Sequence, residues 1–375
     1  MHLPTFPRSM AAVRHVQTAF GGYDHRPACP EGGIYEMING SAADSPLFAT
    51  RPGRTLSYPC TGQPNGLFAA GDGLLWCAGT ALYHNGEAVP GCTLTDTAKV
   101  FAELGGTVLI WPDKIWFRPS DGTFGSAEPS WTGTVTLGSS DDTGDAGRAN
   151  VLQADGAGTR FRVGDAVTLS GFGDARNNGT YILRGIDGAK LIFDPDTFVR
   201  AGTVSGVTIT RRLPDAQHAC SYGNRLWACA HDTVWCTKLG DPLSWFWYEA
   251  DENGAVATAA WSVDVGAPGD FSGCAATGSG VVFLKPEGLW RLYGTRPDNF
   301  QLVASAALGA EQGSGRTLVT AAETLYYLSP VGPARTAGGR PTRIGDALGR
   351  TLSDGAAGTD GTRWYLSARD EKSAW

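Results

Sequence analysis

Leu226-Trp227-Ala228-Cys229-Ala230-His231-Asp232-Thr233-Val234-Trp235 carries two aliphatic-aromatic pairs, Leu226-Trp227 and Val234-Trp235, on either side of a short polar turn. β-Branched and aromatic residues favour extended backbone, and a turn between two such runs is a β-hairpin. The same text recurs along the chain. It reads Leu75-Trp76 then Leu82-Tyr83, Leu109-Ile110-Trp111 then Ile115-Trp116, and Val282-Phe283 then Leu289-Trp290. Degenerate copies stand at Leu325-Tyr326-Tyr327 and Trp364-Tyr365-Leu366. Self-similarity at a spacing of roughly 35–50 residues is what one sheet per repeat produces, and radial repetition of such sheets makes a β-propeller. The expected fold is therefore all-β, a propeller of about five to seven blades.

Composition agrees with that class. Charged residues are 18% of the chain, below the usual quarter or so. With 52 Gly and 21 Pro among 375 residues, few stretches can sustain a helix of ordinary length. Twelve Trp and eleven Tyr suit strands that pack face to face. The net charge of −7 argues against a protein that grips nucleic acid, which needs clustered Lys and Arg. Residues 1–22 hold no apolar run long enough for a signal-peptide core, and no segment approaches a transmembrane helix in length, so no membrane partner is expected.

The organisation reads in four parts. Residues 1–60 form an N-terminal segment rich in Pro and Gly, with one strand expected at Gly33 to Ile38. Residues 61–130 hold the first two repeats, with turns at His84-Asn85-Gly86 and Ser120-Asp121-Gly122. Over 131–213 the paired aromatic hairpin disappears. Short strands are expected at Thr134 to Leu137, Arg160 to Val163, Ala166 to Leu169, Thr180 to Leu183, Lys190 to Phe193 and Val204 to Thr210, as in a small inserted barrel or sandwich. Insertion at an exposed turn costs little. The repeats resume over 214–375. A propeller must join its last sheet to its first; either the N-terminal segment supplies the missing strands or the C-terminus is incomplete, and Ser373-Ala374-Trp375, which reads as the start of another strand, favours the second.

The search for chemistry gives no catalytic or metal residues. The eight cysteines include no C-x-x-C pair and no zinc spacing with His, so free buried thiols are expected; Cys229 and Cys236, on two arms of one hairpin, are the best pair for a disulfide otherwise. No cofactor is implied. A glycosidase needs two carboxyl groups on one pocket, and Asp251, Glu252, Asp264, Asp270 and Glu287 do not stand out from turn acids. Asp141, Asp142 and Asp145 in a Gly-rich loop lack the spacing that completes a calcium site. His84 and His231 read as exposed turn residues. The most unusual local composition is Gly240-Asp241-Pro242-Leu243-Ser244-Trp245-Phe246-Trp247-Tyr248-Glu249. Its Trp245, Trp247 and Tyr248 are candidate ligand or partner contacts, as a sugar platform. Alternation of Trp245 and Trp247 also fits a half-buried strand filling the wedge between sheets.

The run Gly32-Gly33-Ile34-Tyr35-Glu36-Met37-Ile38-Asn39-Gly40-Ser41, followed by Pro46 to Arg51, resembles the N-terminal segment of virion proteins of tailed phages and prophages. Val163-Gly164-Asp165-Ala166-Val167 and Asn177-Asn178-Gly179-Thr180-Tyr181 are similar to the insert of the same proteins, as are Asn224 to Trp227 and Lys238 to Pro242 to the repeats that follow. Among such proteins, the tail hub and nozzle proteins of short-tailed phages assemble as rings below the portal. The resemblance implies a non-enzymatic structural component of a tail or neck, made in the host cytoplasm and carried in the virion. Its partners would be other virion proteins and copies of itself, in a homo-oligomeric ring around the DNA path with non-specific proximity to DNA. An acidic wall would let phosphate slide. The alternative, from the residues alone, is a carbohydrate-binding or glycoside-hydrolysing propeller.

Overall fold

The computed structural model describes residues 14, 16–41, 48–71, 73–138, 148–199, 202–252 and 254–370. Asp141, Asp142, Asp145 and the run Ser373 to Trp375 lie outside the described residues. The fold is all-β. Five four-stranded antiparallel sheets, here sheets I to V, span 64–93, 100–126, 218–264, 273–306 and 319–343, and in each the strands lie side by side in chain order. A two-stranded hairpin, Leu352–Thr359 with Trp364–Asp370, follows them. No helix among the described residues is long and apolar enough to cross a membrane.

The paired aromatic text forms the middle hairpin of each sheet. Trp76 stands opposite Tyr83, Leu109 opposite Trp116, Ala228 opposite Trp235 and Phe283 opposite Trp290. The Asn85-Gly86 turn takes the left-handed backbone that these two residues tolerate best, with φ of 50° and 100°.

The second strands of sheets II, III and IV are buried on both faces because a sheet lies on each side of them, and side chains alternate between those faces. In Thr107–Trp111, Val108 and Ile110 join Leu75, Cys77 and Leu82 between sheets I and II, whereas Leu109 and Trp111 join Leu226 and Ala228 between sheets II and III. In Arg225–Ala230, Trp227 and Cys229 turn to Val281 and Phe283 of sheet IV. In Gly280–Lys285, Val282 and Leu284 turn to Leu325 and Tyr327 of sheet V. Each inter-sheet layer is thus its own core. The first strands of neighbouring sheets also touch in chain order, from sheet I through sheet V to the hairpin strand Leu352–Thr359.

Between sheets II and III the chain makes a separate seven-stranded antiparallel sheet over 130–210. Its two end strands are Gly179–Ile182 and Gly185–Asp187, which are almost consecutive in the chain. Leu183 N–H donates to Asp165 O at 2.9 Å on one end of the sheet, and Arg184 N–H donates to Ile192 O at 2.8 Å on the other. The sheet therefore curls until its ends meet, around a core of its own that includes Val135, Leu152, Phe161, Val167, Leu191, Phe198 and Ile209.

One expected strand is not formed and another is shortened. Arg160 to Val163 lies between turns, with Arg160 N–H on Ala157 O and Asp165 N–H on Arg162 O. Its apolar residues alternate in the sequence only: Phe161 is buried but Val163, which would share its face in a strand, is exposed, and no neighbouring strand pairs with the stretch. In the N-terminal segment only Gly33–Ile34 of the expected Gly33 to Ile38 is a strand, paired in parallel with Gly22–Tyr23.

Candidate functional site

The aromatic stretch 240–249 is a loop, not a strand. Asp241 caps its first turn, accepting from Leu243 N–H at 3.0 Å and from Ser244 Oγ at 2.9 Å. That turn aims alternate residues in opposite directions. Trp245 is 1% exposed and enters the layer between sheets II and III, edge-on to Trp111. Trp247, 5% exposed, leaves the sheets and packs on Ala166 and Ile182 of the insert, with Lys238 Nζ 3.6 Å above its ring. Tyr248 is half exposed and bonds Ser262 Oγ at 2.8 Å. Of the three candidate contact residues, two are spent on packing and Tyr248 alone reaches the surface.

The loop acts as a bracket for the insert. Asp241 meets Arg162 at 3.2 Å, Trp247 meets the insert's apolar underside, and Glu249 meets Arg184 at 2.8 Å. Arg162 also binds Asp165, whose side chain is 1% exposed and which takes Arg211 from the other side at 3.1 Å. Arg211 sits where the chain returns from the insert, and it donates as well to Ala127 O, where the chain enters. Burial pulls the Arg211 pKa down, against the pull of Asp165. Both stalks of the insert are thus tied through the buried guanidinium of Arg211, which Asp165 holds in place.

The second feature is a cavity of about 920 Å3 lined by residues on or beside the first strand of every sheet and of the final hairpin. Its walls are largely aromatic and aliphatic. Phe68 and Phe101 stack at 5.6 Å, and Tyr58 of the N-terminal segment stacks on Trp76 at 5.3 Å, which stacks in turn on Tyr83. Lys99 Nζ borders this space but is caged by Asp113, Thr95 O and Thr95 Oγ1. Burial pushes the His218 pKa down, so the ring is neutral at pH 7, with Nε2 bonded to Phe271 O at 3.2 Å. Cys274 bonds Cys220, which favours its thiolate, but Cys229 and burial outweigh that and hold the thiol protonated. At Cys274 and His218 the cavity thus presents a protonated thiol and a neutral imidazole.

All eight cysteines are free, Cys229 and Cys236 included; Cys229 stands opposite Val234, and Cys236 opposite Trp227. Among the described residues no group of His, Cys, Asp and Glu has the arrangement of a metal site. His231 is exposed at a hairpin tip, 3.3 Å from Asp270, while His84 is half-buried against the edge of Phe117. Neither cavity of about 900 Å3 is lined by Asp251, Glu252, Asp264, Asp270 or Glu287. The sequence reading missed the Arg162–Asp165–Arg211 group; its only signal was the adjacent pair Arg211-Arg212 in a chain with scattered basic residues. No protein-family model matches the chain, and no curated protein matches it.

Proposed function

We propose that the protein is a non-enzymatic assembly component, a β-propeller whose blades are sheets I to V and the final hairpin, carrying a small rolled barrel as an insert. The cavity shared by all the first strands supports the propeller reading. The further assignment, to the tail or neck of a phage particle, comes from the sequence resemblance.

The observation that carries the assembly role is the surface of the N-terminal segment. Among the described residues, seven of the sixteen exposed large hydrophobic residues fall within 16–58: Val16, Phe20, Tyr35, Ile38, Phe48, Leu56 and Tyr58. This stretch is held by two-residue strand pairs and by His25 N–H on Ala347 O at 2.8 Å. Exposed apolar side chains concentrated in one weakly anchored segment suit burial against a neighbouring subunit. Buried Trp245 and Trp247 remove the platform on which the carbohydrate reading rested.

The test is mass photometry of the full chain beside a variant with Tyr35→Ser, Ile38→Ser and Phe48→Ser, together with mass spectrometry of purified particles from the encoding genome. A discrete oligomer lost in the variant, and the protein present in the particles, are expected. A monomer at micromolar concentration, or absence from the particles, would refute the proposal.

A further inference from the structure

At the base of the insert lies a cleft of about 910 Å3, bounded by sheet II, both stalks of the insert and the turn 240–243. Four arginines line it, Arg118, Arg160, Arg162 and Arg211, against two acids, Glu128 and Asp241. This is the reverse of the chain's overall balance of −7.

The acids of the cleft are already occupied. Glu128 accepts from Lys114 Nζ at 2.8 Å with one oxygen and from Leu213 N–H at 3.0 Å with the other. Asp241 accepts from Leu243, Ser244 and Arg162, and Asp165 behind the wall is divided between Arg162 and Arg211. Among the described residues Arg160 has no carboxylate partner, and its guanidinium makes one bond, from Nη1 to Ser130 O at 2.9 Å. Arg118 lies 5.6 Å over the Trp116 ring and is ion-paired with Asp121 at 3.7 Å, a distance beyond a hydrogen bond that leaves its N–H donors unspent. A guanidinium has five N–H donors in a planar fork that fits the two oxygens of a carboxylate or phosphate. Two forks with unspent donors thus border one concave site in which each oxygen of both carboxylates already accepts a hydrogen bond.

We propose that this cleft binds a small ligand through an oxyanion group, phosphate or carboxylate, with Arg160 as the principal donor and Arg118 as the second. Arg162 and Arg211 keep the wall behind them rigid through Asp165. A charge-assisted bidentate bond of this kind is geometrically selective as well as strong. The site is independent of the assembly role, since none of the exposed apolar residues of 16–58 lines it.

The test is isothermal titration calorimetry of the full chain in low-salt chloride buffer with inorganic phosphate, tripolyphosphate and citrate as separate probes. Saturable one-to-one binding by at least one probe is expected. The phosphate and citrate arms identify which oxyanion the site prefers. Arg160→Gln should weaken that binding tenfold or more, Arg160→Lys less, and Arg118→Gln severalfold. Arg296→Gln, outside the cleft, should leave it unchanged. Thermal melts of each variant separate lost binding from lost folding. No saturable binding of any probe, or equal binding by wild type and by folded Arg160→Gln and Arg118→Gln, would overturn the proposal.

Discussion

Trp111 and Trp245 meet edge to face, with ring centroids 5.9 Å apart and planes at 85°. Each indole N–H is satisfied by a proline carbonyl, Trp111 by Pro214 and Trp245 by Pro242, both at 2.9 Å. The pair fills the layer between sheets II and III at the point where the insert interrupts the chain. Trp245→Ala should therefore lower unfolding free energy by about 3–5 kcal/mol. Tyr248→Ala, three residues away at the surface, should cost under about 1 kcal/mol. Chemical denaturation of both variants checks the contrast, and equal losses would contradict the placement.

The Lys99 side chain is fully buried and paired with Asp113, whose side chain is 7% exposed. Burial raises the Asp113 pKa, but the hydrogen bonds from Lys99 and Thr95 outweigh it, and the net shift is downward from 3.8. A carboxylate with a lowered folded pKa contributes stability that is present above its unfolded value and lost as pH falls through its folded value. Asp113→Asn should cost about 3–5 kcal/mol at pH 7, because it leaves a buried ammonium unpaired. The gap between wild type and variant should stay constant down to about pH 4 and narrow below it. Denaturation curves from pH 7 to pH 2 measure this, and a gap that widens in acid would contradict it.

Trp247 couples the insert to sheet III, while the insert keeps its own core of Val135, Phe161, Val167 and Ile209. Trp247→Ala should loosen the attachment without unfolding the insert. Hydrogen exchange should rise about tenfold, the factor that about 1.4 kcal/mol produces, at Arg162 to Ala166 and across 240–250. Protection in Val151–Gln153 and Thr203–Thr210 should be retained. Loss of protection throughout 130–210 would mean that the insert does not hold itself together.

The sheets were legible because a strand buried on both faces writes an unbroken apolar run, as Thr107–Trp111 does, and its partner repeats the aromatic across a short turn. Arg160 to Val163 misled because its apolar residues alternate in the sequence, whereas two successive turns bury Phe161 and leave Val163 exposed. Arg148–Ala149 and Phe198–Val199, two residues each, are too short to carry a period. The bracket was illegible for another reason. Arg162 and Asp241 are 79 residues apart and Arg211 and Asp165 are 46 apart, so their pairing exists only once the insert has closed. Trp245 and Trp247 stood out in the sequence, yet composition alone could not say that one points into the sheets and the other into the insert.

Glycine was read as the residue of turns, and at Gly309 it has another role. A Cβ there would lie 1.8 Å from Lys285 O and 2.8 Å from Gly288 O, both backbone atoms, while Gly309 N–H bonds Pro286 O at 3.1 Å. The strand pair Gly280–Lys285 and Gly288–Tyr293 is thus closed over by a segment that only a residue without a side chain can form. Gly309→Ala should force this segment off the turn and cost about 3 kcal/mol, the upper part of the range for overpacking. Gly358→Ala is the matched control, because nothing lies within 4 Å of its Cβ; it should be neutral or stabilise by up to about 1 kcal/mol through the unfolded chain. Thermal melts of the two variants decide the matter, and a Gly309→Ala protein melting with wild type would mean that the close approach to Lys285 is not maintained in solution.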